Sequence, residues 1–194
     1  MVKILITYAI PDEFVEINWP DATVSYMCSG IGKVQTTYRL TETLNRENPD
    51  LVINLGTAGT IMHQIGDIFI CHHFIDRDIQ KLPELNLEYE IDTFDRLNAN
   101  DFFIDFDISG ICNTGDSFLT DRLSINGDVI DMEAYAQAVV CQNKKIPFIA
   151  IKYITDIIGQ NSVKQWKDKL SAAHNGLSQF LMQNYKLIQR ANNQ

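Results

Sequence analysis

The stretch that most limits the fold runs from Val129 to Asp156, V-I-D-M-E-A-Y-A-Q-A-V-V-C-Q-N-K-K-I-P-F-I-A-I-K-Y-I-T-D. It reads as a strand end, a helix over Glu133–Asn143, a tight return at Pro147 and a strand over Phe148–Ile151. A short apolar run bounded by turn residues suits a strand covered on both faces. Asp131 and Glu133 precede the helix, and Asp156 follows the strand. In open α/β sheets ligands bind beyond the carboxyl ends of strands. Two strand ends that carry carboxylates can therefore face one pocket.

The N-terminal part has the same grammar. Val2–Tyr8 is β-branched and apolar, a first strand, and Pro11 in A-I-P-D-E stops it. Thr23–Cys28 is a second strand that ends in S-G-I-G-K, where two closely spaced glycines let the backbone turn into a helix. That helix, about Lys33–Asn45, carries Val34, Tyr38, Thr41 and Leu44 on one side. Leu51–Leu55 is a third strand, running into a Gly56–Thr60 loop. Strand, helix and strand with a short return make a βαβ unit of a parallel sheet. Further strands are expected over Ile68–Ile75, Ile108–Cys112 and Val129–Ile130, and the acidic Gln80–Phe103 region reads as loop with short strands. A last helix starts near Ser162, a candidate N-cap. Its stripe of Val163, Trp166, Leu170, Ala173, Leu177, Phe180, Leu181 and Ile188 is read as core packing. With no repeat or linker, residues 1–194 are expected to form one domain.

Charge and cysteine usage exclude several classes. A net charge of −9 argues against binding a nucleic-acid backbone, which needs a basic face. No apolar run reaches the roughly 18 residues of a membrane span. The four cysteines, Cys28, Cys71, Cys112 and Cys141, are far apart without a C-x-x-C pair. They read as small buried apolar residues in a reducing cytoplasm. His63, His72 and His73 lack the spacing of zinc ligands, so no metal is expected.

Polar groups gather after the strand ends, and their motifs carry a resemblance. A-I-P-D-E at 9–13, S-G-I-G-K-V at 29–34, L-V-I-N-L-G-T-A-G at 51–59 and G-D-I at 66–68 are followed by N-T-G-D-S-F at 113–118, D-M-E-A at 131–134 and P-F-I-A-I-K-Y-I-T-D at 147–156. In this order they resemble the nucleoside phosphorylase/nucleosidase superfamily, and most of all its 5′-methylthioadenosine/S-adenosylhomocysteine nucleosidases. The resemblance covers most of the chain apart from about residues 80–108. It implies an α/β three-layer sandwich with a mixed, mostly parallel central sheet, and a homodimer that needs neither metal nor organic cofactor.

The resemblance also assigns roles. Cleaving an N-glycosidic bond to a purine requires the departing base to be neutralised. Asp156 matches the family acid that protonates N7, a task that needs a carboxyl of weakened acidity. Glu133 matches the glutamate that accepts the 2′ and 3′ hydroxyls and favours the cationic sugar. Glu13 matches the base that activates water. Met132 corresponds to the methionine on the sugar, Phe118 to the aromatic that stacks on the base, and Leu119 to a backbone contact with its edge. Thr57, Ala58 and Gly59 match the loop beside base and sugar, and Ile31 and Trp166 close the pocket. Asp131 stands where relatives often have Glu, and Lys152 where they commonly have Arg.

Phosphorylases place an Arg at the position of Asn54, and no Arg lies between Met1 and Tyr38. Water is thereby favoured over phosphate as nucleophile. A phosphorylase and a nucleoside-binding module without turnover stay open as alternatives. The 5′ substituent stays open as well: methylthio, homocysteinyl, plain hydroxyl, or the carboxylated benzoyl group of futalosine.

Overall fold

The computed structural model describes residues 1–100, 102, 109–121 and 125–184. Its strands are β1 (Val2–Tyr8), β2 (Ala22–Cys28), β3 (Leu51–Thr60), β4 (Ile68–Asp76), β5 (Glu90–Asp92), β6 (Ser109–Thr114), β7 (Val129–Asp131) and β8 (Phe148–Ile157). The helices are α1 (Lys33–Leu44), α2 (Phe94–Ala99), α3 (Ala134–Lys144) and α4 (Ser162–Gln183).

The sheet is mixed, as expected, and helices flank it. The β1 strand pairs in parallel with β2 and β3, and β3 with β8. The β6 strand pairs in parallel with β4 and β7. Antiparallel pairings join β3 to β7, β4 to β8 and β4 to β5. The simple open layer expected from the sequence is modified by these pairings. Strands β3, β8, β4, β6 and β7 follow one another back to β3, so the sheet curls into a closed ring extended by β1 and β2. Closure leaves those five strands without a free edge along their paired lengths.

Alternation of side chains explains why both faces are apolar. Leu5, Val52, Phe148 and Ala150 point to one side and meet Leu40 and Leu44 of α1 and Ala134, Ala138 and Cys141 of α3. Ile4, Ile6, Leu51, Ile53, Ile149 and Ile151 point to the other and meet Leu177 and Leu181 of α4. Each fully buried side chain of this size is worth about 1.5–3 kcal/mol, which makes the sheet a firm platform for what its strand ends carry. All four cysteines are unpaired, and Cys71, Cys112 and Cys141 are buried. Among the described residues no helix is long and apolar enough to cross a membrane.

Several boundaries move. Gly56–Thr60 belongs to β3 and is not a loop, and β8 continues through Asp156 to Ile157. The Gln80–Phe103 region contains the helix α2, which its length of 6 residues hides from any periodicity test. The expected stripe on α1 is split: Leu44 is buried with Thr36 and Leu40, whereas Val34 and Tyr38 are 75% and 67% exposed. The α4 stripe splits too. Ala173, Leu177 and Leu181 pack into the core, Val163 is exposed, and Trp166 is half-buried at a cleft. Ser162 is the first helical residue, not the cap; Asn161 holds the cap position in a left-handed conformation, and the Ser162 hydroxyl donates to the Leu119 carbonyl at 3.1 Å. Ile108 and Ile188 lie outside the described residues.

Candidate active site

One cleft collects the candidate residues. It is lined by Glu13, Ile31, Thr57, Ala58, Gly59, Phe118, Leu119, Asp131, Met132, Glu133, Asp156 and Trp166, all singled out from the sequence. Ala9, Ile10, Ser117, Ile130 and Ile158 complete it. Ala9, Ile10 and Ser117 lie inside or beside the motifs. Ile130 and Ile158 carried no sign beyond apolar character.

Glu13 ends a single 3-10 turn, Pro11–Glu13, that β1 runs into. Pro11 sets the turn and aims the carboxylate back over the strand ends. Although 6% exposed, it has three donors. The Thr57 amide and hydroxyl reach Oε1 at 2.7 and 2.6 Å, and the Ala9 amide reaches Oε2 at 3.1 Å. A Cβ at position 56 would come within 3.1 Å of the same Oε1, so Gly56 makes room for the carboxylate to lie on β3.

Glu133 sits at the N-cap position of α3, yet its side chain does not cap that helix. Its Oε1 accepts the Gly32 amide at 2.8 Å. Gly32 has φ 89°, a left-handed conformation that a side chain would strain. Asp131 caps α3 instead: Oδ2 accepts the Ala134 amide at 2.9 Å. Asp131 also takes the Thr114 hydroxyl at 2.6 Å and the Lys152 ammonium at 2.8 Å, with both ion-pair partners almost fully buried. It therefore lines the cleft floor with its oxygens engaged by Thr114, Ala134 and Lys152.

Burial raises Glu133 to about 8, and the Asp131 charge adds to this against the pull of Lys152 and the Gly32 amide. Lys152 is opposite in kind. Burial alone would lower it, but Asp131, with Cys112 and Glu133, raises it, so it remains a cation. Asp131 is held below its usual value: burial opposes ionisation, and Lys152 and the hydrogen bonds overcome it.

Asp156 reaches the cleft through a bulge. Ala58 pairs with Ile154 and Gly59 with Asp156, so Thr155 is the extra residue. An extra residue re-aims the side chains that follow it. The Thr155 hydroxyl lies 2.9 Å from Asp156 Oδ1. A Cβ on Gly59 would meet Oδ2 at 2.9 Å, which leaves glycine as the residue that fits there. Burial pushes Asp156 up to about 6, with the Thr155 hydrogen bond opposing. A carboxyl of that value can hold a proton and give it up near neutral pH.

Phe118 and Trp166 form an edge-on aromatic pair, with centroids 6.0 Å apart. Arg77 fastens the loop before Phe118 through the Asn113 and Ser117 carbonyls. Lys33 bridges Asp76 and Asp78 at 3.1 and 2.8 Å, while its amide meets Asp116 at 2.7 Å. This ties the 29–33 turn to the Phe118 loop, a role invisible in the sequence because it joins three distant segments. Asn54 does not line the cleft; its amide donates to Thr7 at 3.2 Å inside the core.

The sequence profile of the phosphorylase superfamily matches residues 10–183. A 5′-methylthioadenosine/S-adenosylhomocysteine nucleosidase of Bacillus velezensis is 32% identical over 176 residues, covering 77% of this chain and 75% of that protein. A nucleosidase of the same name from Colwellia psychrerythraea, solved in complex with adenine, superposes with a TM-score of 0.79 at 21% identity, covering 96% of each chain. The corresponding Helicobacter pylori protein gives 0.77 at 18% identity, covering 96% of this chain and 98% of that one. The match to the profile over nearly the whole chain, together with the B. velezensis relative, places the chain in the phosphorylase superfamily, among its 5′-methylthioadenosine/S-adenosylhomocysteine nucleosidases.

Proposed function

We propose that the chain hydrolyses the N-ribosyl bond of 5′-methylthioadenosine, S-adenosylhomocysteine or a related 5′-modified purine nucleoside. The observation that carries this reading is the meeting of Glu13, Glu133 and Asp156 in one cleft, from three distant parts of the chain and each in a different electrostatic setting. Asp156, with its raised value, donates a proton to N7 of the departing base. Glu133 accepts the ribose hydroxyls and faces the positive charge that develops on the sugar. Glu13, oriented by Thr57 and Ala9, takes a proton from the attacking water. Met132 lies against the sugar, and Phe118 against the base.

Phosphate is the less suitable nucleophile. Among the described residues no cationic side chain lines the cleft, and Asn54 is turned into the core. The working unit we propose is a homodimer of this single domain, supported by the apolar Val34 and Tyr38 on the outer face of α1. Unpaired cysteines suit a reducing cytoplasm. The test is release of adenine from a nucleoside panel, with and without phosphate. Phosphate-independent release of free sugar is expected. Strictly phosphate-dependent formation of a sugar 1-phosphate would replace hydrolysis by phosphorolysis, and binding without cleavage of any nucleoside would replace both.

A further inference from the structure

A hydrogen-bonded relay runs from α4 to Glu13. The Trp166 indole Nε1 lies 3.1 Å from Thr57 Oγ1, and Thr57 Oγ1 lies 2.6 Å from Glu13 Oε1. Its direction is fixed by chemistry. An indole N–H donates and cannot accept, and an ionised carboxylate accepts and cannot donate. The single Thr57 proton therefore points at Glu13, and the indole fills the acceptor side of the same oxygen. A hydroxyl that accepts one hydrogen bond donates the next more strongly. The Thr57 amide adds a second donor to Oε1, whereas Oε2 receives the longer 3.1 Å bond from Ala9. Three donors, counting the relay, thus fix the carboxylate's rotation and leave Oε2 the less committed oxygen.

We infer that Trp166 is a positioning residue for the attack on the sugar, acting through the Thr57 hydroxyl to hold Glu13, in addition to being a wall of the base pocket. The inference rests on Glu13 as the base for water. Trp166 also meets Phe118 edge-on, so the aromatic proposed to stack on the purine neighbours the residue that orients Glu13.

The test is a set of variants assayed for kcat and KM on the best substrate of the panel. Trp166→Phe keeps an aromatic wall and removes the donor. About a five-fold fall in kcat is expected, the effect of one lost hydrogen bond of ordinary strength, with KM within about two-fold. Thr57→Val is expected to lower kcat further, and Thr57→Ser to restore most of it by returning the hydroxyl. Adding Trp166→Phe to Thr57→Val is expected to change kcat little, because the indole then has no hydroxyl to act through. Unchanged kcat in Trp166→Phe, or effects of the two substitutions that multiply independently, would overturn the inference. Glu13→Gln separates the layers: if it cleaves as fast as the parent, the reading of Glu13 as base fails. If it is inactive while Trp166→Phe is unimpaired, only the relay fails.

Discussion

Asp156→Asn is expected to make the protein more stable at neutral pH while stopping efficient cleavage. The carboxyl is 3% exposed, and burial lifts it from the ordinary 3.8 to about 6. A raised carboxyl holds its proton more tightly folded than unfolded. Its contribution to stability is therefore full below the unfolded value and is lost as pH rises through about 6. At 1.36 kcal/mol per pH unit, the gap amounts to about 3 kcal/mol by pH 7. Asparagine carries no charge to desolvate, so the variant escapes that loss. Its stability relative to the parent should be least favourable at pH 4 and improve up to about pH 7. For a chain of this size 1 kcal/mol corresponds to about 2–4 °C, so a gain of several degrees at pH 7.5 is expected, shrinking toward pH 4. Circular-dichroism melts at four or five pH values measure it, alongside adenine release. A variant whose stability relative to the parent does not change between pH 4 and 7.5 would refute the electrostatic account of Asp156, whatever its activity.

Other perturbations follow from the same contacts. Lys152→Met removes the partner of a buried carboxylate and should cost about 3–5 kcal/mol, whereas adding Asp131→Asn should recover much of this in urea unfolding. A single variant no less stable than the double would contradict the pairing. Gly59→Ala places a Cβ 2.9 Å from Asp156 Oδ2 and should lower kcat far more than it lowers the melting temperature. Equal activity would show that the position of the Asp156 carboxyl against Gly59 does not matter for cleavage. Glu133, pushed up to about 8 by burial, is expected to ionise when two ribose hydroxyls donate to it. Binding of a nucleoside to Asp156→Asn at pH 7 should then release close to one proton, read as a dependence of calorimetric heat on buffer ionisation enthalpy. No buffer dependence would contradict this.

The parts legible in the sequence were those fixed by local chemistry. Pro11, the S-G-I-G-K turn and the apolar runs of β1, β3 and β8 each state a conformation that their neighbours do not override. The ends of β3 and β8 were not legible, because Gly56–Thr60 and Lys152–Ile157 contain the glycines and polar residues that usually mark loops. Those residues stay in the strands because the two run side by side, paired to Thr60 and Ile157, and the closed ring covers them. The outward Val34 and Tyr38 show the converse, since helical spacing identifies a face without saying what lies opposite it.

What no local pattern contains is the division of labour between Asp131 and Glu133. They stand two residues apart, both acidic, both beside the start of α3, and nothing local distinguishes them. The difference lies in what the rest of the chain brings to them. Lys152 from β8 and Thr114 from β6 neutralise and bind Asp131, so it stays charged and inward as the cap of α3. Glu133 receives one amide from Gly32 and, among the described residues, no cation in direct contact, so burial and the neighbouring negative charge push its proton affinity up. The ion pair beneath therefore serves the site indirectly. Burial is the main reason Glu133 is reluctant to ionise until a donor or a positive charge enters the cleft; Asp131 adds to this and its partner Lys152 opposes it. In the role proposed for Glu133, a sugar acquiring positive charge supplies that condition, and the stabilisation is greatest where that charge is greatest.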